Sequence, residues 1–351
     1  MTNMQKKEKE CIALTWGSTW WHVFPLLATY NYLQEDKKYD FIWVWEEGWL
    51  EEEIARKNRI PFLDIPAWKI RRYFDIKNFF EPLKNITWVI FWIYFILKYN
   101  IDIVFSKWGY VALPLCIAAF ILRKKIYIHE SDTVSGISNR LIWKIATKVF
   151  YTFPNEKINE KSITSWQILN PELIDGLSDL NVIQNPKLSV IVIAGSQWST
   201  TIFEALLKLL PDFKDINFQV VLGEKNMHLR NKFKVFPNVL THDFLTQKRL
   251  WVILKNTDIA ITRWWATTLW ELNMFWIHSI IIPLSNSAWN HQNKNAEYFK
   301  EKFWSDVLDE NNQLEVELFR KIQAYKDLRK SWLNLDWFFK PLQVIEKEIQ
   351  N

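Results

Sequence analysis

Short apolar runs alternate along the chain with longer amphipathic stretches. Runs with strand character lie near 11–15, 40–44, 101–105, 126–129 and 147–151, and helical patterns near 22–35, 50–57, 76–99, 110–122 and 137–145 separate them. After a polar stretch, 155–165, the pattern restarts, with strands expected near 166–169, 188–194, 217–222, 257–261 and 279–282. Helices are expected near 200–210, 226–233, 248–255, 266–275, 291–302 and 313–325, and a last one near 338–350. Alternation of this kind predicts an α/β protein with parallel sheets covered by helices on both faces. The restart predicts two Rossmann-like domains, 1–158 and 159–330, followed by a C-terminal helical segment, 331–351, packing back on the first. Open α/β sheets bind ligands beyond the carboxyl ends of their strands, so two such halves facing across a cleft would build one site from loops of each.

Composition narrows the class. A length of 351 residues suits two domains, and 49% apolar with 24% charged residues describes a folded chain with a large core. Cys11 and Cys116 both stand in apolar surroundings, which excludes a disulfide framework and a CxxC metal or redox site and suits a reducing compartment. The charged start, 1–10, and the short apolar stretch after it do not make a signal peptide. The longest apolar run, Trp88 to Leu97, is about half the roughly 20 residues a membrane crossing needs. A net charge of +5 permits contact with anionic surfaces without requiring it, and no nucleic-acid-binding motif accompanies it.

Tryptophan is out of proportion. The chain has 22 Trp and 7 Gly, although ordinary usage of about 7% would give roughly 25 glycines. Trp also stands where the chemistry asks for a small, φ-permissive residue: in Thr15-Trp16-Gly17-Ser18-Thr19-Trp20-Trp21-His22 after the first strand, and in Arg263-Trp264-Trp265-Ala266-Thr267-Thr268 before a helix. A loop that approaches a phosphate with its main chain has no room for an indole. The expectation is that many of these Trp are UGA codons read as glycine in the source; the alternative is a protein that really carries the aromatic rings.

With glycine restored, the first loop reads TGGSTGGHVFP, a Gly-rich turn entering a helix, which suits an anion, with His22 at its end able to act as a base. Arg263 to Trp270 places small and hydroxyl residues at a strand-to-helix turn, where main-chain N–H groups and the Thr267 and Thr268 hydroxyls suit a diphosphate without metal. Glu271, about one turn further, is placed to accept from ribose hydroxyls, or else simply to stabilise the helix dipole. Ser196 and Gln197 end the apolar run 188–194, where they cap the next helix or touch a pyrophosphate.

These segments together resemble the MurG family, the UDP-N-acetylglucosamine transferases of peptidoglycan synthesis, over nearly the whole chain. Beside the first loop, Ser106-Lys107-Trp108-Gly109-Tyr110-Val111 is similar to its GGYV segment, Ile128-His129-Glu130-Ser131-Asp132 to HEQN and Gly195-Ser196-Gln197-Trp198 to GSQG. Residues 263–271 resemble R-x-G-A-x-T-x-x-E, and His291-Gln292-Asn293-Lys294-Asn295-Ala296 resembles HQxxNA. Trp20, Trp21, Trp68, Trp108, Trp198, Trp265 and Trp276 fall on family glycines. The resemblance implies a GT-B-like fold and an inverting transfer of GlcNAc from UDP-GlcNAc to the muramyl 4-hydroxyl of lipid I, with no cofactor. It implies donor contacts at Thr19, Trp20, Trp21, Asp132, Ser196, Leu245, Arg263, Trp265, Ala266, Thr267, Thr268, Leu269, Trp270, Glu271, Gln292 and Asn295. The main chain at Phe244 and Leu245 would hold the uracil. His22 is the first choice for the base and Glu130 the second, with loop fixing as the other reading of Glu130.

The acceptor so implied is membrane-held. Lys69 to Lys98 combines Arg71, Arg72, Lys84 and Lys98 with the apolar 86–97, which suits an anionic lipid surface and equally suits a core helix with solvated ends. Peripheral attachment to the cytoplasmic membrane face is expected. Two departures stand out: Asp132 replaces the family's Asn, adding negative charge beside the donor sugar, and a family Arg is missing around Asn170-Pro171-Glu172-Leu173. A transferase with another lipid acceptor and, if the indoles are real, a non-catalytic nucleotide- or membrane-binding protein are the competing readings.

Overall fold

The structure is a computed structural model that describes residues 9–16, 23–45, 49–64, 81–107, 112–133, 137–154, 159–170, 187–195, 199–263, 265–284, 291–328 and 336–351. The chain divides into two compact units, Met1–Pro171 with Phe339–Asn351, and Glu172–Phe338.

In the first unit the strands are β1 (Glu10–Trp16), β2 (Tyr39–Trp45), β3 (Phe62–Asp64), β4 (Ile101–Lys107), β5 (Lys125–Glu130), β6 (Lys148–Tyr151) and β7 (Ser162–Thr164). Helices α1 (Val23–Gln34), α2 (Trp49–Lys57), α3 (Glu81–Lys98), α4 (Ala112–Ile121) and α5 (Ile137–Ile145) connect them. All pairings are parallel, in the order β3-β2-β1-β4-β5-β6-β7. Helices α3, α4 and α5 cover one face through a shared core that includes Trp92, Ile96, Leu115, Ala119 and Ile142. Burial on both faces explains why β4 reads as a nearly unbroken apolar run.

In the second unit β8 (Ser189–Ile193), β9 (Asn217–Val221), β10 (Val239–His242), β11 (Ile259–Thr262), β12 (His278–Ile281) and β13 (Ser305–Val307) form a parallel sheet ordered β10-β9-β8-β11-β12-β13. Its helices are α6 (Thr200–Leu209), α7 (Arg230–Phe233), α8 (Gln247–Lys255), α9 (Ala266–Met274), α10 (His291–Lys302) and α11 (Leu314–Ala324). Both sheets follow one doubly wound order, in which the direction of winding reverses between the first and fourth strands. The reversal points lie at β1/β4 and β8/β11, and four of the motif segments identified in the sequence follow these strands.

Three expectations change. No strand forms at 166–169; instead β7 pairs with β6 in the first sheet, so the first unit runs to Pro171 and not to 158. The segment near 226–233 is a 3-10 turn, Glu224–Leu229, that continues as the single turn of α7. Four short strands at or next to the sheet edges, β3, β7, β10 and β13, lie outside the runs expected from hydrophobic pattern. The last helix, α12 (Asp336–Gln350), joins the first unit: Tyr127 donates to the Glu348 carbonyl at 3.1 Å and Lys148 pairs with the Glu348 carboxylate.

Candidate active site

In the second unit the reversal point is built around Gly195, which follows Ala194 just beyond the end of β8 at Ile193. Its φ of +80° is a conformation glycine adopts freely. A hydrogen-bond network braces this turn. Ser199 donates to the Gly195 carbonyl (2.9 Å), the buried Asn226 amide donates to Ser199 Oγ (3.0 Å) and to the Leu222 carbonyl (3.0 Å), and Thr200 donates to Asn226 Oδ1 (2.8 Å). Next door, Thr262 at the end of β11 donates to the Ile193 carbonyl at 2.8 Å, tying the two central strand ends together.

The turn from β11 into α9 follows. Trp265 is the N-cap residue and makes no side-chain cap bond, since an indole has no acceptor for an N–H group. Its ring is 51% exposed, and its Nε1 stands 3.5 Å from where a Cβ on Gly195 would be. The indole thus lies against the Gly195 turn. Thr267 and Thr268 are half-buried in the first turn of α9, and Ala266, Leu269 and Trp270 are buried, leaving main-chain groups as their contribution at this helix end. Glu271 is 5% exposed, and burial alone pushes its carboxyl up to about 8. At the end of β10, Leu245 is buried and Phe244 exposed, in the loop expected to present main chain to a base.

Two expected donor residues are buried. Arg263 is buried and makes a two-pronged bond to Glu310, with Nη2 to Oε1 at 2.8 Å and Nη1 to Oε2 at 3.1 Å, while Nη1 also donates to the Ile282 carbonyl at 3.0 Å. Its guanidinium holds the end of β12 and the loop after β13. Asn295, in the second turn of α10, is likewise fully buried. Gln292 belongs to the first turn of α10, but its side chain lies outside the described residues, as do Ser196, Gln197, Trp198 and Trp264.

Beside the first unit's reversal point, the ends of β4 and β5 bring together Lys107, the last residue of β4, and His129 and Glu130, the last two of β5. All three are buried. Lys107 Nζ is 3.4 Å from His129 Nδ1, and His129 Nε2 is 3.0 Å from the Trp166 carbonyl. A carbonyl only accepts, so Nε2 carries the proton, and Nδ1 is left to accept from the lysine. Burial pushes Lys107 down to about 7, and the negative charges of Glu130 and Asp132 act in the opposite sense. Glu130 uses both oxygens within the protein: Oε1 accepts from the Asp132 N–H at 3.2 Å and Oε2 from the Asn139 amide at 2.8 Å, which ties the turn after β5 to α5. Asp132 is half-buried at the start of that turn. Thr19, Trp20, Trp21, His22, Trp68, Arg71, Arg72 and Trp108 lie outside the described residues, and Lys84 is within α3 with its side chain outside them. Lys98, at the end of α3, is exposed.

Two tryptophans have backbones that bulky residues seldom take: Trp166 with φ 64° and Trp276 with φ 53°. Trp276 follows α9 in a left-handed helix cap, with the Trp276 N–H bonded to the Asn273 carbonyl (3.0 Å) and the Ile277 N–H to the Leu272 carbonyl (3.1 Å). Glycine is the residue most often found at this position of such a cap. Sequence reasoning overlooked Lys107, Asn139, Asn226 and Glu310, whose roles come from partners on other elements, 9 to 47 residues away along the chain.

Comparison with known proteins agrees with this architecture. Residues 12–151 match the glycosyltransferase family 28 N-terminal domain and residues 189–332 its C-terminal domain. A Clostridium perfringens UDP-N-acetylglucosamine–N-acetylmuramyl-(pentapeptide) pyrophosphoryl-undecaprenol N-acetylglucosamine transferase is 30% identical over 337 residues, 93% of each chain. A second transferase of that name from Bacillus cereus is 29% identical over 355 residues, covering 97% of this chain and 98% of its own. Among solved structures, MurG of Acinetobacter baumannii superposes with a TM-score of 0.73 at 18% identity, covering 97% of this chain and 99% of that one. A Neisseria meningitidis UDP-GlcNAc 2-epimerase bound to UDP-GlcNAc reaches 0.67 at 12% identity, covering 97% of this chain and 100% of its own. With both domains matched and this degree of identity along nearly the full length, the chain belongs to glycosyltransferase family 28, within the MurG family.

Proposed function

We propose that the protein transfers GlcNAc from UDP-GlcNAc to the 4-hydroxyl of the muramyl residue of lipid I, giving lipid II. The observation that carries this reading is the 30% identity, spread over both domains, to transferases of that name. The second unit supplies the nucleotide side. Two loops, braced by Asn226 and by the Thr262–Ile193 bond, bring the N-terminal end of α9 to the reversal point, where its dipole favours a diphosphate leaving group. Glu271 accepts from the ribose hydroxyls, and main chain at Phe244 and Leu245 holds the base. Attack by the muramyl hydroxyl on the anomeric carbon inverts the donor, and His22 takes the proton. Glu130, with both oxygens occupied, fixes the loop after β5 in this reading and does not act as the base.

For the acceptor, the first unit offers an apolar surface on its helical face. Ile90, Tyr94 and Leu97, at i, i+4 and i+7 of α3, are exposed, as are Phe120 and Ile121 at the end of α4 and Leu141 on α5. Lys98, Arg123, Arg140 and Lys144 flank them. Apolar side chains ringed by basic ones suit peripheral contact with anionic lipid, and among the described residues no helix is long and apolar enough to cross a membrane. Ile90→Glu with Tyr94→Glu is expected to abolish binding to vesicles containing anionic lipid; unchanged binding removes this surface from the proposal.

The test of the reaction is GlcNAc transfer to a lipid I analogue, measured for the chain as written and for Trp265→Gly with Trp198→Gly. The Trp265 indole at Gly195 favours a second reading, in which a chain bearing that ring does not admit the diphosphate. UDP binding gained by the glycine variant supports both the donor site and recoding at these positions. Failure of both proteins to bind UDP, with the fold intact, overturns the assignment of the site.

A further inference from the structure

We propose that Asn226 fixes the spacing between the two halves of the nucleotide site in the second unit, a positioning residue that ties the Gly195 turn to the segment leading into Phe244 and Leu245. The inference rests on the donor reading above, which lays the diphosphate at the first of these places and the base at the second.

Asn226 is 1% exposed and lies in the 3-10 turn Glu224–Leu229 that follows β9. Its amide is engaged at both ends: Nδ2 donates to Ser199 Oγ and to the Leu222 carbonyl, each at 3.0 Å, and Oδ1 accepts from Thr200 at 2.8 Å. A buried amide so engaged acts on its neighbours rather than on a ligand. On one side Ser199 passes the restraint to the Gly195 carbonyl at 2.9 Å. On the other, the Leu222 and Gly223 N–H groups donate to the His242 and Asp243 carbonyls at 2.9 and 3.1 Å, and Arg230, just after the same turn, pairs with the Asp243 carboxylate. Asp243 immediately precedes Phe244. Gly195 and Gly223, with φ of 80° and 68°, are the two glycines of positive φ among the described residues. Both carbonyls are held in this chain of bonds, that of Gly223 by the Asn226 N–H at 3.2 Å. Glycine passes readily between conformations, so loops that begin at glycines keep a fixed separation only when braced. UDP engages both places at once. Holding them at a matching separation before the ligand arrives adds to the affinity for the whole nucleotide, and adds little for a fragment that touches one place.

The experiment measures UDP and uridine binding by titration for Asn226→Leu, Ser199→Ala and the double variant of the full-length protein. They are made in whichever background binds UDP, the chain as written or Trp265→Gly with Trp198→Gly. Asn226→Leu is expected to weaken UDP binding about tenfold and uridine binding by no more than about twofold. The KM for UDP-GlcNAc should rise about tenfold, with kcat within about threefold of the parent. Ser199→Ala leaves Asn226 its bonds to Leu222 and Thr200 and cuts the link to Gly195, so it should show the same UDP-selective loss. The double variant should bind no more weakly than Asn226→Leu, because both changes act along one path. Unchanged UDP affinity in Asn226→Leu, an equal loss for uridine, or losses that add in the double variant would each overturn the proposal and leave the donor reading standing on the parent's UDP binding. No UDP binding in either background overturns the donor reading and this inference with it. Should Asn226→Leu fold poorly, with the Leu222 carbonyl left unpaired, Ser199→Ala decides: an unchanged ratio of UDP to uridine affinity there refutes the positioning role.

Discussion

At the ends of β4 and β5 the first unit gathers three ionisable side chains, Lys107, His129 and Glu130, and each is answered from within the protein by another side chain or a main-chain group. At the ends of β8 and β11 the second unit has the same strand order but a different chemistry. There Glu271 is buried with desolvation as the sole cause of its shift, Arg263 is bonded to Glu310, and the other described residues of the β11–α9 turn bring main chain, hydroxyls and apolar groups. The first rim has a shape and charge set before any ligand arrives. In the second, the buried Glu271 carboxyl is desolvated, and a group that donated to it would favour its ionised form. One strand order thus carries different polar groups at its strand ends, charged and internally paired in the first unit and mostly main chain and hydroxyls around a desolvated acid in the second.

The comparison breaks most sharply at His22, the base proposed for the first half. His22→Ala is expected to lower kcat by about 10²- to 10⁴-fold with little change in donor KM, because the base acts on the hydroxyl in the transition state. An active His22→Ala enzyme would leave the first rim a binding surface alone.

In the second unit the counterpart is structural. Arg263→Met leaves Glu310 facing the protein without its guanidinium, and loss of one partner of a buried pair costs on the order of 3–5 kcal/mol. Thermal unfolding should show a marked drop for Arg263→Met, and a smaller one for Arg263→Met with Glu310→Leu. Equal Tm values for the single variant and the parent would show that the pair contributes nothing and would return Arg263 to the donor side.

Glu271 sharpens the contrast between the two units. The free protein holds a proton on this carboxyl up to about pH 8. Ribose hydroxyls that donate to the carboxylate favour its ionised form, so the bound protein loses that proton at lower pH. Between the bound and free values, complex formation releases a proton and is favoured by rising pH. UDP affinity is therefore expected to climb by up to about tenfold per pH unit below pH 8 and to level off above it. Glu271→Gln should bind more weakly and lose the slope; isothermal titration at several pH values reads both.

The fold was largely legible because central strands and long helices carry their own pattern. Runs such as 101–105 and 188–194 are buried on both faces, and α6, α9 and α10 begin and end within a residue or so of where periodicity puts them. The short strands β3, β7, β10 and β13 were not legible, since three or four residues carry no period and become strands only by pairing with a formed neighbour. The site divided along the same line. Loop motifs that follow strands could be read locally. The orientation of Arg263 could not: its residue type suggests phosphate, while its actual partner, Glu310, lies 47 residues away. Lys107 and Asn226 were missed for that reason too, each defined by a bond to a segment distant in sequence.

The smallest effect tests the tryptophan excess at a place away from both rims. At Trp276 the left-handed backbone costs a residue with a Cβ roughly 1–2 kcal/mol, and glycine bears no such cost. The ring is 37% exposed, so removing it forfeits only part of its packing, and glycine's greater freedom in the unfolded chain subtracts about 0.5–1 kcal/mol. Trp276→Gly is therefore expected to leave stability level or raise it by about 1 kcal/mol, where the same change in a well-packed core residue would cost several. Chemical denaturation of the two proteins measures this directly. A loss of more than about 2 kcal/mol would mean that the indole is a true packing element there. Peptide mass analysis of protein from its natural source would then be expected to return tryptophan at 276, whereas glycine at that position would extend to the second unit's periphery the recoding inferred for its phosphate loops.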